Sequence, residues 1–123
     1  MLKKGQNKQN RDDVVAGVYT IPCKNCDKVY IGETFRGLKT RIREHKYDMQ
    51  CYNTNNAIVN HRLDTGHTAD WDNSKIIKYE NDTLTRRCYE SAYIATRNNF
   101  NQNKGFITIA KPLAFLLTSN EPD

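Results

Sequence analysis

Apolar sequence is scarce in this chain. Only 37% of its 123 residues are hydrophobic, and the mean hydropathy is −0.83. No stretch is long and apolar enough to cross a bilayer as a helix, so a membrane partner is not expected. The opening residues, MLKKGQNKQNRD, hold no apolar run, which argues against a secretory signal and for an intracellular protein. Residues 1–12 read instead as a disordered polar tail. Internal repeats are absent, and the Asn-rich NNFNQNKG is a loop or helix end rather than a low-complexity domain. The length allows one small domain with a modest core. Acidic residues are also in deficit, 14 against 19 Lys and Arg, for a net charge of +5. That balance suits a polyanion such as nucleic acid, although many soluble proteins are equally basic.

Four cysteines are present: Cys23, Cys26, Cys51 and Cys88. Without a secretory signal a disulfide framework is disfavoured. Cys23 and Cys26 form C-x-x-C, which reads first as a metal or redox pair. A thiol oxidoreductase would need a βαβ context that the chain lacks. Cys51 and Cys88 read as free thiols.

The run Val14–Ile21 is β-branched and aromatic, and Lys28–Gly32 repeats that pattern after the turn PCKNCD. The two predict an antiparallel hairpin with the C-x-x-C in its loop. Leu38, Ile42, His45 and Met49 recur at helical spacing, predicting a helix over 36–49 with Thr34 as N-cap. Arg36, Lys39, Arg43 and Lys46 cover its other sides, with Arg62 nearby, and would meet a phosphate backbone. Ordinary helix solvation explains the same charges. A short helix over 57–63 ends near Gly66. Lys75–Tyr79 is a third strand. Thr83 caps a helix over 84–98 whose apolar stripe is Leu84, Cys88, Ala92 and Ala95. The run from Phe106 to Leu117, broken by Lys111 and Pro112, reads as a strand or packed tail; residues 106–123 are set apart as a tail or edge segment. The order is β-β-α-α-β-α, an α+β domain over 13–105 with a small three-stranded, mainly antiparallel sheet.

Placed on these elements, Gly17-Val18-Tyr19, Tyr30-Ile31-Gly32, Arg41, His45 and Glu90 resemble the GIY-YIG endonuclease family, with Val18 in place of the middle Ile. The resemblance spans about residues 14–105 and implies a phosphodiester hydrolase acting on DNA. It implies catalytic roles for Tyr19, Tyr30, Arg41, His45 and Glu90, and for a late asparagine, Asn101, with Asn98, Asn99 and Asn103 as other registers. Cysteines between the two motifs, with His61 and His67 later, resemble the zinc-containing endonuclease domain of Penelope-like retroelements. That implies structural Zn²⁺ on Cys23, Cys26, His61 and His67, a reverse transcriptase as possible partner, and a nuclear location in a eukaryotic host.

The residue types suit the chemistry. A tyrosine is a weak base at neutral pH unless cations favour its phenolate, and Arg41 and Lys28 are the candidate cations. Arg41 and His45, four residues apart, share a helix face. A guanidinium there clamps phosphate, and the imidazole can move a proton. Glu90, the one carboxylate of the last helix, is enough for Mg²⁺ or Mn²⁺, which keeps much of its water. The plainer reading pairs Glu90 with Arg86. Two thiolates and two imidazoles make a closed tetrahedral zinc set. Nicking of one strand by a single site is the expected activity. The competing function is a zinc-stapled nucleic-acid-binding module with this fold and little or no catalysis.

Overall fold

The computed structural model describes residues 15–102 and 111–119. The expected N-terminal tail, Asn103 and residues 106–110 lie outside that set. Strands β1 (Gly17–Pro22), β2 (Val29–Thr34) and β3 (Lys75–Tyr79) form one antiparallel sheet in the order β2-β1-β3. Helices α1 (Leu38–Gln50) and α2 (Ala57–Thr65) lie between β2 and β3, and α3 (Thr83–Thr96) and α4 (Lys111–Thr118) follow. The α+β fold matches the sequence reading.

β1 is buried at every position from Gly17 to Ile21 because both faces of the sheet are covered. The side-chain period of two sorts its residues. Tyr19 and Ile21 pack with Leu38 of α1, Ile58 of α2 and Ala69. Val18 joins Ile31 of β2 and Tyr93 and Ile94 of α3 in a second cluster. Gly17 is required by close approach: a Cβ there would stand 2.7 Å from the Lys78 carbonyl oxygen. That crowding coincides with a shift of register between β1 and β3 at Val18 and Tyr19.

Several expected details differ. Thr34 does not cap α1. It ends β2, and its hydroxyl accepts the Arg36 N–H at 3.0 Å, while α1 starts after Gly37 at φ 101°. Asp82 rather than Thr83 caps α3, accepting the Thr85 N–H at 2.9 Å. The expected α3 stripe holds at Ala92 but not at Leu84, which is 62% exposed. The buried side of α3 carries Arg86, Ser91, Ala92, Tyr93 and Ile94. Arg86 goes inside because its guanidinium donates to Glu33 at 2.6 Å and to the carbonyls of Glu80 and Asn81. The tail is neither strand nor sheet edge in its described part: α4 packs on α3 through Ala114 and Thr118, whose hydroxyl meets Thr96 at 3.4 Å. Pro112 is tolerated because it sits in the first turn, where no intrahelical N–H is needed. Gly66, at φ 79°, ends α2 as the sequence reading has it.

Candidate active site and metal centre

The hairpin sets the two tyrosines on one face. Tyr19 pairs across the strands with Gly32, and Tyr30 with Ile21. Their ring centroids are 6.1 Å apart. Gly32 has to be glycine, because a Cβ there would stand 2.5 Å from the Tyr19 hydroxyl. The Tyr19 ring therefore lies directly over the β2 backbone.

α1 lays Arg41 and His45 against this pair. The His45 ring is 1% exposed, and its Nε2 lies 2.8 Å from the Tyr19 hydroxyl oxygen. Its Nδ1 lies 2.8 Å from Asn56 Nδ2. His45 is thus a packed histidine bonded on both sides, and it also lines the cleft. Arg41 donates to Glu44 at 2.5 Å, and Glu44 also holds Arg36 at 2.7 Å. A polar cleft of about 220 Å³ is lined by Tyr30, Arg41, His45, Asp48, Asn56, Glu90 and Asn101, among others. Tyr19 lies behind this wall, 1% exposed.

Burial, rather than the neighbouring cations, governs the tyrosines. Desolvation pushes both phenols above their ordinary value, and Arg41 opposes the rise without cancelling it. Lys28, expected beside the tyrosines, acts instead on His61. Burial works against the charge of Arg41, but Tyr19 and Glu44 outweigh it, so the guanidinium stays protonated. Burial and then Arg41 push His45 down to about 4, so the ring is neutral at pH 7. Burial and then Glu33 push Glu90 up to about 7. The plainer alternative, a pairing of Glu90 with Arg86, does not form, since Arg86 bonds Glu33.

Asn101 lines the cleft, but its amide is committed to the sheet. It accepts the Ile31 N–H at 2.9 Å and donates to the Ile31 carbonyl at 2.7 Å. Asn98 bonds Asp27, and Asn99 bonds the Ile94 and Arg97 carbonyls, so neither takes that place. Arg36, Lys39, Arg43 and Lys46 are exposed along and before α1. Lys46 lies over the Trp71 ring at 5.5 Å. Arg62 is exposed and bonds the Gly66 carbonyl and Thr68, closing the end of α2.

Cys23, Cys26, His61 and His67 converge, with one ligand atom of each lying within 4.8 Å of all the others. Cys23 Sγ is 3.5 Å from His67 Nδ1, Cys26 Sγ is 3.7 Å from His61 Nε2, and the two ring nitrogens are 3.3 Å apart. The edges of a zinc tetrahedron with ordinary Zn–S and Zn–N bonds are about 3.6 Å for S–N and about 3.3 Å for N–N. The set therefore fits zinc in both donor chemistry and spacing. The His61 ring also stacks on Phe100 at 4.2 Å, and Phe100 packs against Tyr30 at 6.2 Å. Cys51 and Cys88 are free thiols, as expected.

Asn56, Asp48, Glu33 and Phe100 are site residues that the sequence pattern does not predict. Asn56 carried one signal, its place just before an apolar helical run, which marks an N-cap.

A guanidinium, a buried carboxylate and a phenol around one polar cleft, with a second phenol behind its wall, make a site for phosphodiester hydrolysis. The chain belongs to the GIY-YIG family, whose catalytic domain matches residues 15–104, and it is an endonuclease, a phosphodiester hydrolase. No match was found among curated proteins or among solved structures.

Proposed function

We propose that this protein is a metal-dependent DNA endonuclease of retroelement type that nicks one strand at a time. The observation that carries the reading is the cleft in which Tyr30, Arg41, His45 and Glu90 meet. Arg41 would exchange Glu44 for a phosphate oxygen and stabilise the charge that builds on it. Tyr30, on the cleft wall, would orient the attacking water and, as the phenolate left once its own proton has passed to solvent beside Arg41, take the water's proton, with Tyr19 acting through it from behind. His45 would support Tyr19. Asn101 would keep β2, and so Tyr30, in place.

Glu90 would hold the catalytic Mg²⁺ or Mn²⁺. A buried carboxylate raised to about 7 gains from a cation beside it, and Mg²⁺ needs only one or two protein carboxylates. When bound, the metal would neutralise charge on the phosphate and the leaving oxygen. Cys23, Cys26, His61 and His67 would hold a structural Zn²⁺ that ties the hairpin loop to α2. Arg36, Lys39, Arg43 and Lys46 would contact the DNA backbone without reading sequence. The Cys and His placement supports the retroelement reading, and with it a reverse transcriptase partner and, in a eukaryote, work in the nucleus.

The test is nicking of supercoiled plasmid with Mg²⁺, comparing wild type with Glu90→Ala, both zinc-replete. Nicking by wild type alone is expected. Equal nicking by both would overturn the Glu90 assignment. DNA binding without nicking by either would favour the zinc-stapled binding module.

A further inference from the structure

The hydrogen-bond chain behind the cleft has a direction. The Asn56 Oδ1 accepts the backbone N–H of Ile58 at 3.0 Å, as the N-cap of α2. A backbone N–H can only donate, so Oδ1 must face it and the amide nitrogen must face the other way. That nitrogen lies 2.9 Å from Asp48 Oδ2, an acceptor, and 2.8 Å from His45 Nδ1. Its two hydrogens are then both used, one on each partner. His45 Nδ1 must be the acceptor, so the neutral ring carries its proton on Nε2. Nε2 donates to the Tyr19 oxygen at 2.8 Å. Tyr19, receiving that bond, keeps its own proton to donate to another group, and the Tyr30 ring lies beside it with centroids 6.1 Å apart.

We propose that Asn56, held by its α2 cap and by Asp48, is a positioning residue that fixes His45 in the Nε2–H tautomer, so that hydrogen bonds run outward from His45 to Tyr19 and on towards Tyr30. His45 is then a donor that supports a developing phenolate, and not the base that removes the tyrosine proton. Asp48 is a second positioning residue: its other oxygen accepts from Asn53 at 3.3 Å, which holds the carboxylate beneath Asn56. The catalytic consequence rests on the nuclease reading above, but the tautomer does not.

Two measurements test this. The first is the ¹⁵N spectrum of the ring nitrogens in wild type at neutral pH, with His45 assigned by its loss in His45→Gln. An Nε2–H pattern is expected, and an Nδ1–H pattern overturns the proposal. The second exchanges the pair, Asp48→Asn with Asn56→Asp. The exchange keeps net charge, the cap to Ile58 and a bond between positions 48 and 56, but it presents an acceptor to Nδ1. His45 should switch to Nδ1–H and plasmid nicking should fall by roughly 10²-fold, with the melting temperature little changed. An unswitched ring, or a switched ring with undiminished nicking, overturns the role of Asn56. If the exchanged chain does not fold, the wild-type spectrum still decides the tautomer. A wild type that never cuts refutes the nuclease reading and leaves the spectrum to stand alone.

Discussion

Within a strand, a glycine usually means lost stability, yet position 32 tolerates nothing else. A methyl group there would meet the Tyr19 hydroxyl and ring carbons at 2.5–2.9 Å, and Tyr19 is itself buried on the central strand β1. Gly32→Ala should displace Tyr19 from His45 and cut nicking by roughly 10²-fold, with a lowered melting temperature; wild-type nicking would show that Tyr19 can move without cost. Arg86 is the opposite case, a charge that is 1% exposed. Removing one partner of a buried pair leaves the other poorly compensated, here Glu33, which keeps only the longer Arg87 contact at 3.6 Å, so Arg86→Met should cost about 3 kcal/mol in urea unfolding. Arg43→Ala, on the exposed face, should change stability by less than about 0.5 kcal/mol. The residue types at the cleft were legible, since Tyr30, Arg41, His45 and Glu90 do line one cavity. Their partners were not. Nothing in a one-dimensional pattern says that Asn56 caps α2 and reaches back to a ring eleven residues earlier.

The elements were legible wherever hydrophobic periodicity sets them. β3 spans Lys75–Tyr79 as expected, and β1, β2, α1 and α2 fall within a few residues of theirs. α3 failed in its stripe because periodicity counts arginine as outward, and Arg86 is turned inward by Glu33 of β2, a partner distant in sequence. The packed tail was read without its helix because Lys111 and Pro112 look like a break, although they fall in the first turn of α4. The hairpin loop meets the segment after α2 through the Lys24 N–H on the Thr68 carbonyl and the Thr68 N–H on Asn25 Oδ1, both at 2.8 Å, while the Cys and His side chains tie it to His61 of α2 itself. Cys23→Ser should therefore release zinc and lower the melting temperature by roughly 10 °C or more. A strong chelator should do the same to wild type. Cys51→Ser, at an exposed thiol, should change neither zinc content nor melting. Zinc content by elemental analysis, with melting curves, checks all three; a Cys23→Ser protein that melts like wild type would refute the staple.

At the scale of the whole molecule, two buried groups pull stability in opposite directions with pH. His45 has a folded value of about 4 against 6.5. Between those values the unfolded chain binds a proton that the folded chain refuses, so this contribution is lost as pH falls from 6.5 to about 4. Glu90 has a folded value of about 7 against 4.5. Between those values the folded chain holds a proton that the unfolded chain has released, so its burial costs stability above 4.5, and the cost is relieved as pH falls from about 7. Over pH 4.5–6.5 the two slopes have opposite sign and similar size, and wild type without Mg²⁺ should owe little of its pH dependence to either. Removing one partner exposes the other. Glu90→Gln should lose stability relative to wild type on acidification across that window, on the order of 2 kcal/mol. His45→Gln should gain by a similar amount relative to wild type. Loss of zinc ligation in acid is common to all three chains and cancels in the differences. Urea unfolding at three pH values, without Mg²⁺, decides it: two variants that track wild type would mean that neither group is held as the structure holds it.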